Sequence, residues 1–126
     1  MRPHENLEVW KKSIDFVVMT YLQTKHFPSE ERFGLTSQIR RSAVSIPANI
    51  AEGAARQSDK EFLRFLAIAQ GSCSEVETEI LIAEKLGFLS QSNYAELKAE
   101  ADSIGRMLIG LSKHLRKKID SELTNR

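Results

Sequence analysis

Two sets of cations carry the most chemistry in this sequence. Lys113-His114-Leu115-Arg116-Lys117-Lys118 is a basic cluster near the C-terminus, and Arg40, Arg41, Arg56, Lys60 and Arg64 form a looser scatter upstream. Clustered lysine and arginine neutralise phosphates and release their counterions, so such patches point to nucleic acid. The same cations also suit the C-terminal end of a helix, where they complement its dipole. Neither set is interleaved with aromatics, as single-strand binders are when they stack bases. The formal net charge is only +1, so any attraction for nucleic acid must rest on these local patches.

Carboxylates raise a second chemistry. Glu75, Glu77, Glu79 and Glu84 crowd one segment. A carboxylate-bridged metal pair in a helical bundle uses Glu-x-x-His on two helices. Three positions before His4, His26 and His114 stand Met1, Gln23 and Leu111, so that motif is missing. Glu75 and Glu79 are expected to pair with arginines or to face solvent. Cys73, the single cysteine, falls on an apolar stripe and is expected to pack as a small hydrophobe. Phosphate loops, dinucleotide glycine motifs, zinc spacings and serine elbows are absent from the sequence. These readings lead us to expect no enzyme and no catalytic, metal or cofactor-binding residues.

The elements that must position these groups are all helical. The 126 residues suit one domain, 1–126, and 41% hydrophobic with 28% charged residues is an ordinary mix. Helices are predicted over about 7–25, 29–56, 59–86 and 91–119. In the first, Leu7, Trp10, Ile14, Val17 and Tyr21 make the apolar stripe, behind Asn6 as N-cap and a loose arm. In the second, Leu35, Ile39, Ala43, Ile46, Ile50 and Gly53 keep one face unbroken across Pro47, which predicts a continuous helix kinked there. Its opposite face is polar: Gln38, Arg41, Ser45, Asn49, Glu52 and Arg56. That face is read as solvated, or else as a seam for a second copy or a ligand.

The third helix opens with the capping box Ser58-Asp59-Lys60-Glu61 and closes at Gly87, a left-handed cap. Its stripe is Phe62, Phe65, Ala69, Cys73, Val76, Ile80 and Ala83. The fourth, capped by Ser90, carries Tyr94, Leu97, Ala101, Ile104, Leu108, Leu111 and Leu115. Gly105 and Gly110 weaken it unless a neighbouring backbone comes close. The predicted fold is an all-α, antiparallel up-down-up-down four-helix bundle.

Some apolar residues exceed what one bundle can cover. Val9 and Phe16 lie off the first stripe, either as scattered surface residues or as a second contact face. Leu63, Leu66, Ile68, Leu81, Ile82 and Leu86 make the third helix apolar almost all round, which argues for self-association, with Ile68, Ile82 and Leu86 as the candidate interface. With no apolar run long enough for a bilayer, no leader-like start and one cysteine, a cytoplasmic location is expected.

Several segments resemble a known family. Gly34-Leu35-Thr36-Ser37-Gln38-Ile39-Arg40-Arg41, Ser45 to Gly53, Glu61 to Leu66, Gly71-Ser72 and Glu75-Val76-Glu77-Thr78 are similar to the four-helix bundle proteins also called 23S rRNA intervening-sequence proteins. The opening Leu7-Glu8-Val9-Trp10 fits too, so the likeness spans about Glu5 to Ile119. It implies a ring, commonly a homopentamer, and no enzymatic activity. Some relatives are encoded inside ribosomal RNA genes, and others resemble retroelement accessory proteins that bind nucleic acid. The implied partners are RNA or a ribonucleoprotein, with the two cation sets as the candidate contacts. The alternative is a protein-interaction scaffold that binds no nucleic acid.

Overall fold

The computed structural model describes residues 2–125. Four helices fill it: α1 (Glu8–Thr24), α2 (Leu35–Ala54), α3 (Asp59–Lys85) and α4 (Gln91–Thr124). Short 3-10 turns at Pro3–Asn6 and Ser29–Glu31 precede α1 and α2. The helices pack in a closed order, α1 on α2, α2 on α3, α3 on α4 and α4 on α1. Among the described residues, neither diagonal pair brings its backbones close. Contacts between α2 and α3 pair rising numbers with falling ones: Ser42 meets Glu75, Ser45 meets Ser72, and Gly53 faces Phe65.

Helix boundaries follow local chemistry. Ser58 Oγ accepts from the Glu61 amide at 3.1 Å, and Ser90 Oγ accepts from the Asn93 amide at 3.0 Å. The capping box is only half formed, because the Glu61 carboxylate turns outward to Arg64 at 2.9 Å. At the end of α3, Gly87 has φ +79°, the Phe88 amide donates to Ala83 O at 2.9 Å, and the Gly87 amide donates to Glu84 O at 3.0 Å. This is a Schellman cap. It turns Phe88 back against Phe27, with ring centroids 5.8 Å apart.

Several sequence expectations are corrected. The segment from Ser29 is not continuous with the second helix: Gly34 is non-helical (φ −109°, ψ −117°), and α2 starts at Leu35. There the Leu35 amide donates to Glu31 Oε1 at 3.0 Å, a cap that removes any need for a longer helix. The N-terminal arm is a 3-10 turn whose His4 ring sits edge-on to Trp10 at 4.8 Å. Asn6 does not cap α1; Leu7 occupies that position. At the other end α4 runs on to Thr124, past the predicted stop at Ile119. Gly105 and Gly110 face no close backbone, since an added Cβ would meet nothing within 4 Å at either.

The largest correction concerns α1. Its buried line is Val9, Ser13, Phe16, Thr20 and Thr24, whereas Ile14 and Tyr21 of the expected stripe are 38% and 42% exposed. Val9 and Phe16 are therefore core residues, 4% and 0% exposed, and form no contact face for another subunit. Three polar residues hide this line. Each satisfies its hydroxyl within the helix: Ser13 donates to Trp10 O, Thr20 to Phe16 O and Thr24 to Thr20 O, at 2.7 to 2.8 Å. Once satisfied locally, such groups are cheap to bury.

Helix α2 continues through Pro47, which is buried inside it. Its stripe of Ile39, Ala43, Ile46 and Ile50 is fully buried. A Cβ on Gly53 would sit 2.6 Å from Phe65 Cβ and 3.0 Å from Phe62 Cδ1. Gly53→Ala should therefore push α2 and α3 apart and destabilise the fold by about 1–3 kcal/mol, as overpacking does. Urea denaturation would measure it; an unchanged midpoint would show that the contact relaxes freely.

Candidate nucleic-acid interface

The two cation sets meet in space, but not completely. Because the start of α3 lies beside the end of α4, Lys60 and Arg64 come close to Arg116 and Lys118. Lys60, Arg116 and Lys118 line a cleft of about 820 Å³ with Ser58, Asp59 and the apolar Leu63 and Ile119. Lys60 and Arg116 also border a neighbouring groove of about 420 Å³, together with Arg64. Lys113 and Lys117 are exposed one turn apart on α4, outside both hollows.

Arg40 and Arg41 are separated from this end. Arg40 is held by α1: its Nε donates to Thr24 Oγ1 at 2.9 Å and its guanidinium lies 4.6 Å from the Tyr21 ring centroid. That makes it a structural brace between α1 and α2. Arg41 is exposed and borders grooves on both sides of α2.

Neighbouring carboxylates reduce the field. Arg56 pairs with Glu52 at 2.9 Å, Arg64 with Glu61 at 2.9 Å, and Lys118 with Asp59 at 3.2 Å. The hydrogen bond from Arg64 holds the Glu61 carboxyl below the usual carboxylate range. Arg56 and Arg64 also lie over the Phe65 ring, at 4.9 and 4.6 Å from its centroid. Among the described residues, Lys60, Lys113, Arg116 and Lys117 form no ion pair. At this end of the bundle these four are the candidate cations that no carboxylate neutralises, and Arg41, at the other end, is likewise exposed and unpaired. Sequence reading kept Lys60 and Arg116 in separate sets. The Lys118–Asp59 and Gln70–Ser112 contacts bring the start of α3 beside the end of α4, and no local motif in the sequence marks that adjacency.

The acidic residues divide between two sides of α3. Glu77 approaches Asp102 of α4, and burial pushes its carboxyl up, with Lys98 opposing. Lys98 itself pairs with Asp102 at 2.7 Å. Glu75 and Glu79 border α2 and meet no arginine within ion-pair distance; Glu75 is exposed, in line with the solvent-facing alternative, whereas Glu79 is half-buried, and Ser42 Oγ donates to Glu75 Oε2 at 3.4 Å. Among the described residues, no group of three or more His, Cys, Asp or Glu is placed to hold a metal ion.

Cys73 is buried, and its Sγ donates to Ala101 O at 3.3 Å. Burial, with smaller contributions from Glu77 and Asp102, pushes the thiol up to about 11. Raising the folded value means that the native state keeps its proton where an unfolded thiol, near 8.5, has already lost it. Stability should therefore fall as pH rises from about 8.5 toward 11, and Cys73→Ala should flatten that slope. At pH 8 a thiol-disulfide reagent should react with Cys73 only after denaturation. Rapid labelling of the native chain would contradict this placement.

The comparisons with known proteins agree with this architecture. A crystal structure at 1.70 Å of a protein of unknown function from the S23 ribosomal protein family, from Bacteroides thetaiotaomicron VPI-5482, is similar with a TM-score of 0.78 and 29% identity. The match covers 83% of this chain and 98% of that one. No curated protein matches. Among the described residues, no helix is long and apolar enough to cross a membrane. The family profile described as 23S rRNA-intervening sequence protein matches residues 5–110, which takes in α1 to α3 and the body of α4. On that match, the chain belongs to the 23S rRNA-intervening sequence protein family.

Proposed function

We propose that this protein is a non-enzymatic, self-associating helical bundle that binds RNA, or an RNA–protein complex, through repeated copies of the cations at one bundle end. The observation that supports this most is the joining of Lys60 and Arg116, which carry no ion pair, around one cleft. A single such patch is weak, and a closed assembly strengthens it by presenting several at once. Ile68, Ile82 and Leu86 support the assembly: they are 41%, 45% and 58% exposed along α3 and at its C-cap. The family resemblance suggests five copies. A buried free cysteine suits a reducing, cytoplasmic setting.

A scaffold that recognises a protein and no nucleic acid is the second reading. It is favoured by the pairing of Arg56, Arg64 and Lys118 with carboxylates. Pull-down from nuclease-treated lysate separates the two, since a partner retained after nuclease supports the scaffold.

RNA affinity should fall steeply with salt. Lys60→Glu with Arg116→Glu should reduce the slope of log K against log salt by about 1.4, at about 0.7 for each single-strand phosphate that is no longer neutralised. Arg40→Ala should leave that slope unchanged and lower the melting temperature instead. Retention of RNA no better than that of a neutral control protein would end the RNA reading. Ile68→Glu or Ile82→Glu should dissociate the assembly while circular dichroism stays helical; a monomeric wild type in light scattering would remove the assembly.

A further inference from the structure

Among the described residues, Phe33 is the most exposed large hydrophobic side chain, at 88%. It stands between the Ser29–Glu31 turn and the start of α2, with the Arg32 guanidinium 5.3 Å from its ring centroid. Arg32 is exposed and has no carboxylate within ion-pair distance among the described residues. The chain thus presents a cation and an aromatic ring together, the ring 88% exposed. Aromatic residues, Phe among them, and arginine are enriched at protein interfaces.

A receptor of opposite character lies across α2. The groove between α2 and α3 encloses about 570 Å³ and is bordered by Ser42, Ser72, Ile68, Glu75 and Glu79. Glu79 Oε1 is shut off from solvent and has no hydrogen-bond partner. Neither Glu75 nor Glu79 reaches a cation, although Arg41 borders the same groove. Helical spacing carries this face on to Ile82 and Leu86, both exposed. The groove therefore offers unpaired negative charge beside an uncovered apolar strip.

The two features cannot meet within one chain. Phe33 and Arg32 border the groove on the α1 side of α2, with Tyr21 and Arg40, whereas Glu75 and Glu79 face the α3 side. They do stand at a similar height. The pairs Ser42–Glu75 and Ser45–Ser72 place the start of α2 level with the end of α3, near Ile82. Different surfaces at one height give a head-to-tail contact, the kind that can close into a ring.

We propose that Arg32 and Phe33 of one copy dock into the α2/α3 groove of the next, with Arg32 pairing to Glu75 and Glu79 and Phe33 covering Ile82 and Leu86. This rests on the self-association proposed above and assigns the residues that make it. The protein in solution supplies the test, by native mass spectrometry and sedimentation across a concentration series. Phe33→Ala, Arg32→Glu and Glu75→Lys should each weaken assembly about tenfold or more, with helical circular dichroism retained. Phe33 has almost no buried surface to lose, so its variant has little cause to misfold. Arg32→Glu combined with Glu75→Lys should restore assembly by exchanging the charges. Mixing the Phe33→Ala and Glu75→Lys chains should give dimers joined by the one intact knob and groove, and nothing larger. Wild-type assembly in all three single variants would overturn this docking while leaving self-association through α3 in place. A wild type that stays monomeric would overturn both.

Discussion

The bundle depends on how closely α2 and α3 approach. Small residues make that possible: Gly53 leaves no room for a Cβ beside Phe65, and the Ser45 and Ser72 hydroxyls touch at 2.8 Å. Asn49 Nδ2 donates to Ser45 O at 2.8 Å, so Asn49, Ser45 and Ser72 are satisfied where the backbones close, while Glu79 Oε1 further along is not. The seam also settles the fate of Pro47. A proline inside a helix loses one hydrogen bond, yet here its ring is buried and α2 runs through it. Tertiary packing outweighs the local penalty, and the start of α3 is held where the end of α4 can reach it.

That placement makes the bundle end a shared surface. Lys60 leaves α3 within its first turn, Arg116 comes from the last part of α4, and Leu63 and Ile119 provide apolar surface between them. The end is only modestly basic, because Asp59, Glu61 and Glu52 each take one cation. Exposed ion pairs of this kind add little stability. Their main effect is electrostatic: they lower the net field and leave a few cations with no carboxylate beside them.

The polar seam of α2 shows why a face cannot be classified by composition alone. Gln38 and Arg41 reach water, while Ser45 and Asn49 are half buried against α3. Glu79 lies between these states, with burial pushing its carboxyl up, the Ser42 hydroxyl opposing and the Glu75 charge reinforcing. A carboxylate so placed is a poor contributor to the isolated chain and gains from a cation brought by a partner.

Much of this protein was legible in its sequence. Three-four apolar spacing is enough to locate α2, α3 and α4, and Ser58, Gly87 and Ser90 mark both ends of α3 and the start of α4, because caps and stripes depend only on neighbours along the chain. The family likeness of the segments around Pro47 was legible too. What sequence could not show was which face of α1 is buried. Ser13, Thr20 and Thr24 look like surface residues until their hydroxyls are seen bonded to carbonyls one turn back. Nor could it show that Arg40 braces α1 while Lys60 and Arg116 share a cleft. Those outcomes depend on which helices adjoin and at what height. Distance along the chain does not encode that; only the packed bundle does.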